Sequence, residues 1–146
     1  MNFITTLFVS NNDKYQGVRP INIYLMRAIY LLMFFVLGKD VWGEILNHTG
    51  AWEPHAAMAW SVWAAFSTMA LIGIFRTVQM LPLLLLEIFY KILWLIIVAL
   101  PLWQNNQLIG SAVEGMTMAF LWVLLPIVAV PWDYVFKSYV LGKKQS

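Results

Sequence analysis

Long apolar stretches separated by short polar segments dominate the chain and determine its fold class. The stretches cover residues 21–37, 55–75, 81–100 and 111–130. A helix needs about 20 apolar residues to cross a hydrocarbon core of about 30 Å. The pattern therefore predicts an all-α polytopic membrane protein, with four transmembrane helices packed as one bundle over residues 20–132.

Prolines and a glycine mark the expected ends of these spans. Pro20 and Pro54 suit the first turn of a helix, where the missing N–H would have no partner. We expect the first span to end at Gly38 and the third to end at Pro101. Pro126 is expected to kink the fourth span, because it removes a backbone donor inside a helix.

Two terminal segments flank the predicted bundle. Residues 1–19 begin with apolar positions at helical spacing, namely Phe3, Ile4, Leu7 and Phe8. This spacing suits a short helix lying on the membrane surface, and a frayed tail fits it equally well. Residues 133–146 are expected to form a C-terminal tail on the same side of the membrane as residues 1–19, which is the cytoplasmic side.

The composition supports a membrane location and excludes several other classes. The chain is 62% apolar and 11% charged, whereas a soluble domain is about 45–50% apolar and about 25% charged. The lipid bilayer is therefore the first expected partner. The absence of cysteine excludes disulfides and thiolate metal sites. The net charge of +2 is small and scattered, so nucleic acid is not an expected partner.

Basic residues near the span ends predict the orientation. Those expected on one face of the membrane are Lys14, Arg19, Arg76, Lys137, Lys143 and Lys144, against Lys39 on the other. The positive-inside rule then places both termini and the turn at Arg76 in the cytoplasm. The loops that follow the first and third spans are expected outside.

Three charged residues fall within the predicted hydrocarbon layer: Arg27 in the first span, and Glu87 and Lys91 in the third. Glu87 and Lys91 are four residues apart with the acid first, the favourable order for an intrahelical ion pair. At a rise of 1.5 Å per residue, Arg27 lies about 10 Å beyond Pro20 and Glu87 about 12 Å beyond Gln79. We therefore expect both cations to bridge Glu87 between the first and third helices.

The expected cluster has a net charge of +1, which leaves its role open. A buried network that fixes the register of the helices is the favoured interpretation, and a site for a ligand, an ion or a proton is the alternative. An anion would balance the charge, and a lipid phosphate, a carboxylate substrate or Glu114 would each serve. Glu114 begins the fourth span several ångströms from the level of Lys91, which makes it a poor direct partner.

The signals for a metal or cofactor site are weaker. The loop after the first span carries five possible metal ligands, namely Asp40, Glu44, His48, Glu53 and His55. Their spacing is irregular, so a solvated acidic loop is preferred and no metal site is predicted. Neither histidine lies inside a span, which argues against haem, and no cofactor is indicated. The eight tryptophans and eight methionines are interpreted as lipid-facing and gap-filling residues.

Small residues recur every four positions in two spans. They are Ala57, Ser61 and Ala65 in the second span, and Ser111, Gly115 and Ala119 in the fourth. We expect them to let the helices of one bundle pack closely, and a homo-oligomer interface is the alternative.

A resemblance to known proteins runs from Arg19 onward. It rests on Leu81-Pro82, Glu87, Lys91, Trp94-Leu95 and the segment Pro131-Trp132-Asp133-Tyr134-Val135. In these residues the chain resembles a group of small bacterial four-helix membrane proteins of unassigned function. The resemblance implies a bacterial inner membrane location and supplies no activity.

Two functional hypotheses follow. The first is a non-enzymatic membrane protein, structural, accessory or self-associating, which predicts a closed bundle. The second is a small oligomeric transporter or channel in which Arg27, Glu87 and Lys91 line a polar cavity open to the cytoplasm and accept an anion, a proton or a lipid headgroup. An enzyme is not expected, because it would need more convergent polar groups than these.

Overall fold

The computed structural model describes residues 3–9 and 15–142, with side chains from Thr6 onward. Helices joined by turns and short loops account for this part of the chain, and no strand occurs within it, which confirms the all-α class. We number the helices in chain order: α1 Phe3–Phe8, α2 Pro20–Asn47, α3 Pro54–Phe75, α4 Leu81–Gln104, α5 Glu114–Ala129 and α6 Trp132–Val140.

Three of these helices, α2, α3 and α4, are long and apolar enough to cross a membrane. A further candidate is the pair α5 and α6, which meets the same criterion only when the two helices are taken together across their bend of 74°. The fold is thus compatible with a membrane location. Lys14, Lys143 and Lys144, on which the predicted orientation partly rests, lie outside the described residues.

The four long helical segments form a ring. Helix α2 packs against α3 and α5, and α4 packs against the same two helices. Helices α2 and α4 therefore face each other diagonally across the bundle. Fully buried side chains from these two helices fill one end of the ring: Ile23, Met26 and Tyr30 from α2, and Leu81 and Leu84 from α4.

Helix α2 does not end at Gly38, contrary to the sequence-based expectation. Gly38 has helical dihedral angles, φ −61° and ψ −44°, and the helix continues to Asn47. A glycine inside a helix costs only about 1 kcal/mol relative to alanine. The continuing turn buries Val41 completely, at 1% exposure, which offsets that cost.

Helix α4 also runs past its expected end at Pro101. Residues Leu95–Ala99, which end two positions before Pro101, form a π-helical stretch in which the N–H of Leu100 donates to the carbonyl of Leu95. This wider turn accommodates the missing donor and the ring of the proline without ending the helix. Helix α4 ends at Gln104 instead.

The fourth predicted span begins at Glu114 rather than Ser111 and is interrupted as Pro126 leads one to expect. Pro126 cannot donate to the carbonyl of Trp122. The N–H of Leu125 bonds to that carbonyl instead, at 3.0 Å, and the regular α-helix is broken at Trp122 and Val123.

A sharp bend at Pro131 separates α5 from α6. The segment from residue 133, which was expected to be a tail, begins inside α6. Val130 is extended, with ψ 129°, because a residue that precedes proline avoids the helical region. The carbonyls freed by the bend find side-chain donors. Asn22 Nδ2 of α2 donates to the carbonyl of Ala129 at 2.9 Å, and Trp132 Nε1 donates to that of Ile127 at 2.8 Å. Helix α2 therefore holds the bend in place.

The small residues that allow close helix packing are not those expected. Ser61, Ala65 and Gly115 are exposed on the surface of the chain. The buried small residues of α3 recur every three positions instead: Ala64, Ser67, Ala70 and Gly73. Gly73 lies so close to Tyr30 of α2 that a Cβ atom there would come within 2.6 Å of its ring.

Gly73→Ala is expected to destabilise the protein by about 1–3 kcal/mol, because the added methyl group overpacks the contact with Tyr30. The matched control is Gly43→Ala in α2, where a Cβ atom meets nothing within 4 Å. The measurement is the free energy of unfolding of both variants in detergent. Equal stabilities for the two variants would contradict the close contact between α2 and α3.

Candidate functional site

Glu87 and Lys91 form an ion pair on one face of α4. Lys91 Nζ lies 2.6 Å from Glu87 Oε1, and the two side chains are 15% and 6% exposed. Lys91 Nζ also lies 5.8 Å from the centre of the Phe120 ring on α5, within the range of a cation–π interaction. The expected intrahelical pair is therefore present, and it is almost completely buried.

Arg27 is not part of this pair. Its Nε atom donates to Thr77 Oγ1 at 3.1 Å, and within the described ranges no acidic side chain forms an ion pair with it. The expected bridge from Arg27 to Glu87 is therefore wrong. The depth estimate took Pro20 and Gln79 to be level, but the hydroxyl of Tyr30 reaches the carbonyl of Thr77 at 3.3 Å. The turn before α4 is thus level with Arg27 and Tyr30, about two to three helical turns beyond Pro20, and Glu87 lies further along.

The separation of Arg27 changes the charge of the site. Glu87 and Lys91 alone sum to zero, so the argument for an anion that balances a cluster of +1 no longer applies. Glu114, the suggested accessory residue, is engaged elsewhere: its Oε2 atom accepts the backbone N–H of Gly110 at 2.7 Å. Glu114 therefore fixes the loop before α5 rather than neutralising Lys91.

Glu87 uses only one of its two carboxylate oxygens. Its Oε2 atom is buried and has no hydrogen-bond partner among the described residues. A buried polar atom left without a partner costs about 1–3 kcal/mol, and more when it is charged. The side chain is therefore poised to accept a hydrogen bond from an additional donor.

A cavity of about 710 Å³ lies beside the ion pair. Glu87, Lys91 and Asp40 are the charged residues in its lining. Aromatic rings from three helices form much of the rest: Trp60, Trp63, Tyr90, Phe120 and Trp122. The tryptophans were expected to face lipid, so this aromatic group was not predicted. The spacing of Trp60 and Trp63, about one helical turn apart, was the available signal.

The cavity opens sideways between α2 and α5. These helices pack together where residues 20–32 meet residues 124–129, and they diverge beyond that point. The lining residues that are exposed lie on these two helices, among them Leu32, Val36 and Asp40 on α2, and Met116, Ala119 and Trp122 on α5. The opening therefore faces the side of the bundle, rather than the end that holds Arg27 as the transporter hypothesis expected.

Asp40 and Glu44, which were expected in a loop, lie within α2 because this helix continues to Asn47. The histidines and Glu53 make local structural contacts. His48 stacks on Trp52 with ring centres 3.5 Å apart, and its Nδ1 atom lies 3.9 Å from Glu44. Glu53 caps α3 by accepting the N–H groups of His55 and Ala56 at 3.0 Å and 2.6 Å. Across residues 3–9 and 15–142, no group of three or more such side chains is arranged to hold a metal ion.

The chain matches no known protein family, no curated protein and no solved structure. The resemblance to small bacterial four-helix proteins therefore stays a prediction.

Glu87→Gln is expected to destabilise the protein by roughly 3–5 kcal/mol, because it leaves Lys91 buried without its counter-charge. The double variant Glu87→Gln with Lys91→Met removes both charges and should recover most of the loss. Unfolding in detergent measures these two variants and the single variant Lys91→Met, with the exposed Glu44→Gln as control. Additive effects of the two substitutions would show that the pair does not interact.

The cap formed by Glu53 predicts a titration shift outside the apolar helices. Hydrogen bonds from the N–H groups of His55 and Ala56 lower the pKa of Glu53 below its ordinary value. A lowered pKa in the folded state means that the cap contributes stability above the pKa of the unfolded chain and loses it as the pH falls through the folded pKa. The carboxyl ¹³C chemical shift of Glu53 measures this, and a midpoint at the ordinary glutamate value would contradict the cap.

Proposed function

We propose that this chain is a non-enzymatic, four-span protein of the bacterial inner membrane that binds a lipophilic ligand with a polar head group in the cavity beside Glu87 and Lys91. The observation that carries the proposal is the Oε2 atom of Glu87, a buried acceptor for which the described residues supply no hydrogen-bond partner, on a residue that lines this cavity.

The dimensions of the cavity support binding over a purely structural role. A structural charge network predicts a closed bundle, whereas a cavity of about 710 Å³ falls within the range of about 300–1,000 Å³ found for ligand sites. Such sites are mostly apolar with a few placed polar groups, and this lining combines aromatic rings with a single ion pair.

A role in binding rather than catalysis is supported by the state of the two charged groups. Glu87 and Lys91 already neutralise each other at 2.6 Å, so neither is a free base or nucleophile. Catalysis would need further polar groups converging on the same point.

The proposed topology counts α5 with α6 as the fourth span and places both termini in the cytoplasm. Contacts at one end of the bundle support this grouping. Arg27 reaches the turn at Thr77, and Arg19 lies 3.8 Å from Asp133. These contacts support a single cytoplasmic end that holds Arg19 and the turn containing Arg76, in agreement with the positive-inside rule.

Single cysteines test this topology in a chain that has none of its own. We expect cysteines at Thr49 and Asn106 to react with a membrane-impermeant maleimide added to cells with a permeable outer membrane. Cysteines at Gln79 and at Leu141, which lies beyond α6 and is exposed, should react only after the inner membrane is broken. Reaction of the cysteines at Asn106 and Leu141 from the same side would contradict a span between them.

The binding function is tested with three ligand probes and with a larger side chain that blocks the cavity. The probes are dodecylamine, dodecanol and dodecanoate, added to the protein in phosphatidylcholine nanodiscs and counted by native mass spectrometry. We expect at least one probe to bind with a stoichiometry of one, and Ala119→Phe to abolish binding because Ala119 lines the cavity. Ala65→Phe, exposed on α3 and outside the cavity lining, is the matched control. Binding of none of the probes, or binding that is unaffected in Ala119→Phe, would overturn the proposal.

A further inference from the structure

We infer that the ligand is a lipophilic amine in its protonated form, a long apolar body that carries an ammonium group with N–H donors. The inference rests on the proposed function, since it names the class of molecule that the same cavity accepts.

The charge of the lining is the first reason. Glu87 and Asp40 contribute two negative charges and Lys91 one positive charge, so the cavity has a net charge of −1. A monovalent cation brings this charge to zero, whereas a carboxylate or phosphate would double it. The sequence-based expectation of an anion depended on Arg27, which the structure places at Thr77 instead.

The arrangement of the carboxylate is the second reason. Lys91 engages Glu87 at Oε1 and leaves Oε2 as an acceptor with no partner among the described residues. The terminal torsion of glutamate is broad, so a rotation of the carboxylate turns Oε2 toward an incoming donor. An ammonium group offers N–H donors and positive charge together, and hydrogen bonds between charged groups are the strong ones.

The apolar and aromatic surroundings are the third reason. Aromatic faces attract cations, and the rings of Trp60, Trp63 and Tyr90 line the same cavity as the carboxylate. Phe120 already has the ammonium of Lys91 at 5.8 Å. The sideways opening between α2 and α5 would let an alkyl chain remain in the apolar layer while its head group reaches Glu87.

The test compares the three dodecyl probes, which share one chain and differ in head group. We expect dodecylamine to bind at least about tenfold more tightly than dodecanol, as a charged hydrogen bond exceeds a neutral one, and dodecanoate to bind least. Replacing half of the phosphatidylcholine by phosphatidylethanolamine identifies the source of the ammonium group. If this lipid competes with dodecylamine, the ammonium group of the natural ligand belongs to a lipid headgroup. If it does not compete, the natural ligand is a free amine. Either outcome agrees with the inference.

Variants of the pair separate recognition from folding. Lys91→Met removes the competing cation and should raise the affinity for dodecylamine by about tenfold, because the ligand then replaces the counter-charge of Glu87. The double variant Glu87→Gln with Lys91→Met has no buried charge and should lose the preference for the amine.

Asp40→Asn, at an exposed position, should weaken amine binding by a few fold at low salt. Glu44→Gln, outside the cavity, is the control for surface charge.

The outcomes distinguish this inference from the proposed function. Tighter binding of dodecanol or dodecanoate, abolished by Ala119→Phe, would overturn the amine while the cavity keeps its binding role. Weaker amine binding in Lys91→Met would also overturn it. Failure of every probe to bind would remove the proposed function and the inference together.

Discussion

The structure depends on the ion pair between Glu87 and Lys91, because a charge inside an apolar bundle must be neutralised where it lies. A single charge at the centre of a membrane helix costs about 2.5–3.5 kcal/mol on insertion scales. The two residues meet within one helix at 2.6 Å, so the pair forms without help from a second helix. Because the pair needs no residue of α2, helices α2 and α4 can be separated at the depth of Glu87.

The space between them follows from the packing at the two ends of the bundle. At one end Tyr30 of α2 fits against Gly73 of α3 and bonds to the carbonyl of Thr77, which brings the helices close together. Beside the cavity the rings of Trp63 on α3 and Phe120 on α5 lie between these two helices, with ring centres 6.5 Å apart. The bundle is therefore closed near Arg27 and open beside Glu87, whose Oε2 atom has no hydrogen-bond partner among the described residues.

Local sequence signals predicted the parts of this architecture that depend on neighbouring residues. The apolar stretches indicated the helices, and the spacing of Glu87 and Lys91 indicated their contact. Pro20 and Pro54 begin helices as expected. Gly38 and Pro101 failed as helix ends, because packing at Val41 and a π-helical stretch before Pro101 compensate for their weak helical preference. These compensations depend on tertiary contacts and on the hydrogen-bond pattern of a whole helix, which a single residue type does not reveal.

The position of Arg27 required information that the sequence does not contain. Its predicted level relative to Glu87 assumed that two helices start at one depth, and only the contacts of Thr77 reveal the offset. The pattern of small residues was misleading for a related reason, since the buried spacing of three in α3 depends on the angle at which α2 crosses it. The cavity was likewise unpredictable, because it arises where α2 and α5 diverge rather than from any one motif.

The most direct test of this account is a solid-state NMR measurement in lipid bilayers of the dipolar coupling between side-chain nitrogens and the glutamate carboxyl carbon. With lysine Nζ labelled by ¹⁵N and glutamate Cδ by ¹³C, a strong coupling between Lys91 and Glu87 is predicted. With the arginine guanidinium labelled instead, the account predicts no comparable coupling of Arg27 to Glu87. A strong coupling of Arg27 to Glu87, or none between Lys91 and Glu87, would contradict the account.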